Sequence, residues 1–278
     1  MMIFPEITVS ASKKAISIWM NAVVPSLLPF MMIAGCMKNT GVNRIAGSRL
    51  YPVCMAFLSG YPMGAKLAGD LYREGKTDEE GIYQILSYSM ITGPAFLVSS
   101  VGVAFYGAKS AGYILAFSHY ASAFTCGLLF WRKTGKQCKK KTMTVASSRS
   151  DMPFTDCILE SFKTLGVILG YMMLFLICTD FMDFTGMLDA FSQETGSLCK
   201  GLLEMTVGCS QIATCSCSIQ TKMMLSSFVI SFGGLSVVGQ TMSMLRDCPV
   251  TLIQILQIKI LHGVLSVIWT FILCAFVV

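Results

Sequence analysis

Four stretches of this chain carry no charged residue over a length that crosses a lipid bilayer. They cover residues 15–37, 81–108, 110–131 and 223–245, and the shortest of them is 22 residues long. About 20 consecutive apolar residues in a helix span the hydrocarbon core of a membrane. Only 13% of all residues are charged, against about 25% in soluble domains. The sequence therefore predicts an all-α, multi-pass integral membrane protein whose first partner is the lipid bilayer.

A basic segment at 132–153 divides the chain into two halves of similar length. It carries seven Lys or Arg residues and one acidic residue, and basic loops of membrane proteins lie on the cytoplasmic side. We therefore predict a first membrane repeat at 1–131, a basic cytoplasmic linker at 132–153 and a second membrane repeat at 154–278. The net charge of +6 lies in loops, which indicates membrane orientation rather than nucleic-acid binding.

The two halves share an order of segments. Each begins with a long apolar stretch, continues with a short segment that contains glycine and a charge (50–70 or 201–222), has a third segment broken by small residues, and ends with an apolar helix. If the short segments are re-entrant, each half crosses three times, which predicts two inverted repeats. The alternative is that both short segments cross fully. Matching broken segments in two halves indicate a transporter binding site.

The clearest break is GYPMGAK at 60–66. Its two glycines, Gly60 and Gly64, and Pro62 interrupt a helix, and the freed backbone groups need protein or water as partners. Lys66 is costly at membrane depth, where a charge usually faces a pathway. We predict a substrate site here, with Lys66 as its cation and Tyr61 in its lining. The alternatives are a Lys66 side chain that reaches the headgroups and a Tyr61 anchor at the interface.

The matching breaks supply the rest of the predicted substrate site, which comprises Thr92, Gly93, Pro94, Glu204, Gly233, Gly234, Ser236 and Gln240. Half-helix ends at such positions face a permeation path. Glu204 is a candidate for holding a coupling proton or for pairing with Lys66; the alternative is a solvated carboxylate near Lys200, one helical turn away. His119 and His262 lie in the closing helices, where a bond to a neighbouring helix is favoured over a proton relay.

Neither the cysteines nor any other residues indicate a cofactor. Most of the twelve cysteines lie in apolar segments, where Cys acts as a small hydrophobic residue. Cys215 and Cys217, with Cys209 nearby, form the one cluster typical of a metal site. We expect no bound metal, no cofactor and no enzymatic activity, because no nucleophile and base, phosphate loop or zinc spacing is present.

Several motifs together resemble a known family, the YlbJ-type sporulation integral membrane proteins of the broader nucleoside-recognition "gate" group. They are VPSLLPF at 24–30, SGYPMGAK at 59–66, TGPAF at 92–96, LEMTVG at 203–208 and FGGLSV at 232–237, followed by Gln240. The resemblance implies a sporulation-linked transporter, similar to a carrier of dipicolinate across the outer forespore membrane. It places the chain in that membrane or in the bacterial cell membrane.

These observations lead to one expected function and two alternatives. The expected function is transport of a small organic anion, dipicolinate, bound between re-entrant helix tips with Lys66 as its counter-charge. The first alternative is a carrier of a nucleoside or another polar metabolite, which the gate-group resemblance permits. The second is a sporulation membrane scaffold that transports nothing. Glycine-rich helices also allow a homo-oligomer.

Overall fold

A computed structural model of the chain describes residues 4–39, 50–134 and 154–277, and these residues form helices and short connections with no β-strand. In the first half, α1 (Pro5–Ile18) passes through a π-helical turn (Trp19–Val23) into α2 (Val24–Asn39). The elements that follow are α3 (Leu50–Ser59), α4 (Met63–Arg73), α5 (Glu79–Ser89), a π-helical segment (Phe96–Phe105) and α6 (Lys109–Thr134). In the second half they are α7 (Phe154–Phe184), α8 (Gln193–Leu203), α9 (Met205–Thr214), α10 (Ile219–Phe232), α11 (Gly234–Met244) and α12 (Leu252–Val277).

Within the described residues, four stretches are long and apolar enough to cross a membrane: Lys109–Phe130, Phe154–Phe184, Ile219–Met244 and Leu252–Phe276. A fifth span forms if the bent pair Pro5–Val23 and Leu27–Ile33, with its 54° angle, is counted as one. The predicted all-α, polytopic membrane fold is thereby confirmed.

The described residues of the two halves follow a similar order of elements. Each begins with long helical structure, continues with two interrupted pairs of shorter helices, and closes with a long helix. The interruptions lie at 60–62 and 90–93 in the first half, and at Glu204 and Gly233 in the second. The inverted relation of the halves stays a prediction. Most of the basic linker, 135–153, lies outside the described residues.

The closing helix α12 turns a polar stripe toward the interior and an apolar face outward. Its large exposed side chains include Ile253, Ile260, Val264 and Ile268. The opposite face buries Lys259, His262, Ser266 and Thr270, which follow one another three or four residues apart and so share one stripe of the helix. This stripe packs between α6 and α10.

Close helix packing depends on glycine where α6 meets the π-helical segment Phe96–Phe105. A Cβ atom added to Gly112 would lie 2.9 Å from both Leu97 O and Val98 Cα, and 3.1 Å from Gly102 Cα. These neighbours are backbone atoms and cannot rotate away. Small residues that let backbones approach are the usual means of helix association in membranes.

We predict that Gly112→Ala lowers the free energy of unfolding by about 1–3 kcal/mol, because an extra methyl group overpacks this contact. The measurement is the thermal unfolding midpoint of the purified protein in detergent. The control is Gly166→Ala in α7, where an added Cβ meets nothing within 4 Å. Equal midpoints for both variants and the parent would show that the contact is not tight.

Candidate functional site

The two breaks of each half lie directly against each other. In the first half, Gly60 has φ +79°, and a Cβ atom on it would lie 2.5 Å from Gly93 N. In the second half, Gly234 has φ +74°, and a Cβ atom there would lie 3.0 Å from Leu203 O and 3.1 Å from Met205 N. Only glycine accepts both the left-handed backbone and this contact.

Hydrogen bonds from side chains of the two closing helices connect the breaks of one half with the other half. Lys259 on α12 donates hydrogen bonds to the Tyr61 hydroxyl and, at 3.3 Å, to Met90 O. His119 on α6 is 2.8 Å from the Ser231 hydroxyl, two residues before Gly233. All four breaks therefore meet in one region of the interior.

A cavity of about 370 Å³ lies at this meeting point. Its lining includes six of the predicted substrate-site residues, Gly60, Tyr61, Thr92, Gly93, Glu204 and Gln240. Further polar lining comes from Asn21, Ser99, Ser100 and Thr206. The cavity thus combines backbone from the breaks with small polar side chains.

The other predicted site residues lie around the cavity without lining it. Pro62 precedes the first residue of α4, Gly64 packs on the backbone of Ser89, and Pro94 follows the break at 90–93. Gly233 and Gly234 form the turn between α10 and α11. Ser236 is buried and accepts a hydrogen bond of 3.2 Å from Gln240 Nε2.

Lys66 also lies outside the cavity lining. Its ammonium donates a 3.1 Å hydrogen bond to Thr164 Oγ1 and lies 3.8 Å from Glu160 Oε2, both on α7. The lysine predicted as the cation of the substrate site therefore bonds to a neighbouring helix instead.

Glu204 is buried at 3% exposure and caps the first turn of α9, where its carboxylate accepts a 2.9 Å hydrogen bond from Val207 N. Partial positive charge at a helix N-terminus stabilises such a carboxylate. Lys200 instead forms an ion pair with Asp183. The alternative interpretation of Glu204 as a solvated carboxylate near Lys200 is therefore wrong.

Lys259 is the residue that the sequence analysis missed. It is 1% exposed, and its ammonium also lies 4.2 Å from the centroid of the Tyr61 ring. The signal was present, because Lys259 is the one charged residue of the sequence 252–277. A lysine inside an apolar span is a candidate functional residue by default.

The backbone of Thr92, in the second break, is satisfied by side chains of α6. Thr92 N donates to His119 Nε2 at 2.9 Å, and the Tyr120 hydroxyl donates to Thr92 O at 2.9 Å. Because Nε2 of His119 accepts, the hydrogen-bond network assigns the proton to Nδ1, which donates to Ser231. His262 Nε2 donates to His119 O at 3.0 Å, so both histidines bond to neighbouring helices.

These features define a class of protein: a multi-pass integral membrane protein with broken helices around a cavity that apolar and small polar side chains line together. The chain is 24% identical to the sporulation integral membrane protein YlbJ of Bacillus subtilis (strain 168). The alignment covers 97% of this chain and 78% of that protein. This similarity confirms the resemblance found in the motifs and supports a YlbJ-type assignment. No family model and no solved structure matches the chain.

We predict that Tyr120→Phe lowers the free energy of unfolding by about 1 kcal/mol, because Thr92 O loses a buried hydrogen-bond donor. The matched control is Tyr113→Phe on the same helix, where the side chain is 61% exposed. Thermal unfolding of both variants in detergent gives the comparison. A Tyr120→Phe midpoint equal to that of the control would mean that this bond does not stabilise the break.

Proposed function

We propose that this YlbJ-type protein is a transporter that binds a small polar solute in the cavity among the four helix breaks. The observation that carries the proposal is that three of the four breaks, those at 60–62, 90–93 and Glu204, line that one cavity, while the fourth packs against the break at Glu204 through Gly234. Irregular backbone at membrane depth is tolerated where it is buried in protein or lines a cavity. In secondary transporters, broken helices of two repeats supply the binding groups near the midplane.

The size of the cavity supports a small solute. Its volume of about 370 Å³ is at the lower end of the roughly 300–1,000 Å³ of small-molecule sites. Its side chains offer both hydrogen-bond donors and acceptors, and Tyr61 and Phe96 offer aromatic surfaces. A solute with a single planar ring and polar substituents suits this lining.

The first candidate substrate is a small organic anion, and dipicolinate is the example that the family resemblance suggests. Ala95 and Phe96, at the start of a helical segment, line the cavity. Backbone N–H groups and the dipole at a helix N-terminus favour an anion. The carboxylate of Glu204 already interacts with the N-terminus of α9, which offsets part of its repulsion.

A neutral polar metabolite such as a nucleoside is the second candidate. The specific observation in its favour is the charge of the lining: the described residues around the cavity include Glu204 but no Lys or Arg. The third candidate function is that of a sporulation scaffold without transport activity, in which the cavity has no role.

We expect proteoliposomes of the purified protein to take up dipicolinate, and Ser100→Phe to reduce the uptake about tenfold or more. The added ring fills the cavity, and about 1.4 kcal/mol of lost binding already gives a factor of ten. The control is Val103→Phe in the same π-helical segment, where Val103 is 44% exposed and outside the lining.

The outcomes separate the three candidates. Uptake of uridine but not of dipicolinate would favour the neutral solute. No uptake of either by protein with a cooperative unfolding transition would contradict transport and favour the scaffold. Equal loss of uptake in Ser100→Phe and Val103→Phe would contradict the cavity as the binding site.

A further inference from the structure

Lys259 lies on a helix whose apolar face is turned outward, so its side chain cannot reach the headgroups. The exposed residues Ile253, Ile260 and Val264 mark that outer face, and Lys259 itself is 1% exposed. A charged group taken out of water costs several kcal/mol unless it is paired. Its interior position therefore needs an explanation beyond packing.

Only neutral groups contact the ammonium within the described parts of the chain. They are the Tyr61 hydroxyl, Met90 O and the face of the Tyr61 ring. Lys200, the other buried lysine of these residues, pairs with Asp183, and Lys66 pairs with Glu160. Lys259 has no carboxylate within ion-pair distance in the same residues.

Lys259 also lies where three of the four breaks meet. Tyr61 belongs to the first break, Met90 to the second, and a Cβ atom on Gly233 would lie 3.4 Å from Lys259 Nζ. Of the described residues, Tyr61 both lines the cavity and contacts Nζ. Its phenol ring thus stands between the solute cavity and the lysine.

We propose that Lys259 is the counter-charge for a carboxylate of the transported solute, and that the Tyr61 hydroxyl occupies its place when no solute is bound. The proposal rests on the transporter function proposed above. A carboxylate that enters from the cavity replaces the Tyr61 hydroxyl on Nζ. The exchange is favourable because the carboxylate brings an opposite charge to the ammonium, whereas the hydroxyl is a neutral acceptor, and opposite charges attract strongly where water is excluded.

This assignment accounts for two features of the site. It provides a positive charge for a bound anion, although the described residues that line the cavity include no Lys or Arg. It also gives Tyr61 a role that selects solutes, since an uncharged molecule has no carboxylate with which to displace the hydroxyl. Lys66 is left to join α4 to α7 through Glu160 and Thr164.

The test compares binding of dipicolinate with binding of its uncharged diamide, pyridine-2,6-dicarboxamide, by equilibrium binding to the full chain in detergent. The parent should prefer the dicarboxylate. In Lys259→Met this preference should fall about tenfold or more, as expected for the loss of about 1.4 kcal/mol. Lys259→Arg should keep part of it. Lys66→Met is the matched control and should bind like the parent.

Two further variants separate a binding role from a structural one. Lys259→Met should keep a cooperative unfolding transition, because the removal of a buried charge without an acidic partner offsets the loss of the hydrogen bond to Met90 O. Tyr61→Phe should bind dipicolinate more tightly than the parent, because the competing hydroxyl is gone.

An unchanged preference in Lys259→Met, or an equal loss in Lys66→Met, would overturn the assignment while leaving transport intact. A parent that binds neither compound, or that prefers the diamide, would contradict the anion candidate itself and this assignment with it.

Discussion

A broken helix leaves backbone N–H and C=O groups without hydrogen-bond partners, and the core of a bilayer has no water to supply them. This constraint explains why polar side chains lie inside the protein at the breaks. Thr92 exposes an amide and a carbonyl, and His119 and Tyr120 satisfy them. Met90 exposes a carbonyl, and Lys259 satisfies it. Because partners for such groups must come from the protein or a cavity, the breaks gather at one place. The closing helices α6 and α12 consequently turn polar stripes inward.

The presence of membrane helices and the positions of their breaks could largely be predicted from hydropathy and from the Gly and Pro residues. Both signals depend only on residues that are close in the sequence. Of the charge-free runs, 110–131 and 223–245 coincide with membrane-length helices, whereas 81–108 is broken at 90–93. Paired breaks in the two halves predicted where polar backbone would lie. Gly60, Gly93 and Gly234 are indeed where chain segments touch. Whether the halves are inverted depends on crossing directions, which the sequence constrains only through basic loops.

The choice between two lysines could not be made from the sequence. Lys66 follows a predicted break and Lys259 lies in a continuous apolar helix, but the sequence does not show which group either side chain meets. Their difference is tertiary: Lys66 meets Glu160 on α7, whereas Lys259 points from α12 toward Tyr61. The environment of Glu204 could not be predicted from the sequence either. Its burial and its capping of α9 depend on how the break at 204 packs against Gly234.

We propose that the meeting point of the helix breaks is a solute site. A cryo-electron microscopy map of the protein with bound dipicolinate tests it most directly. We expect density for the solute in the cavity among Gly60, Gly93 and Thr206, with one carboxylate at Lys259 and the Tyr61 hydroxyl displaced. Solute density beside Lys66, with the cavity empty and Tyr61 still bonded to Lys259, would contradict it.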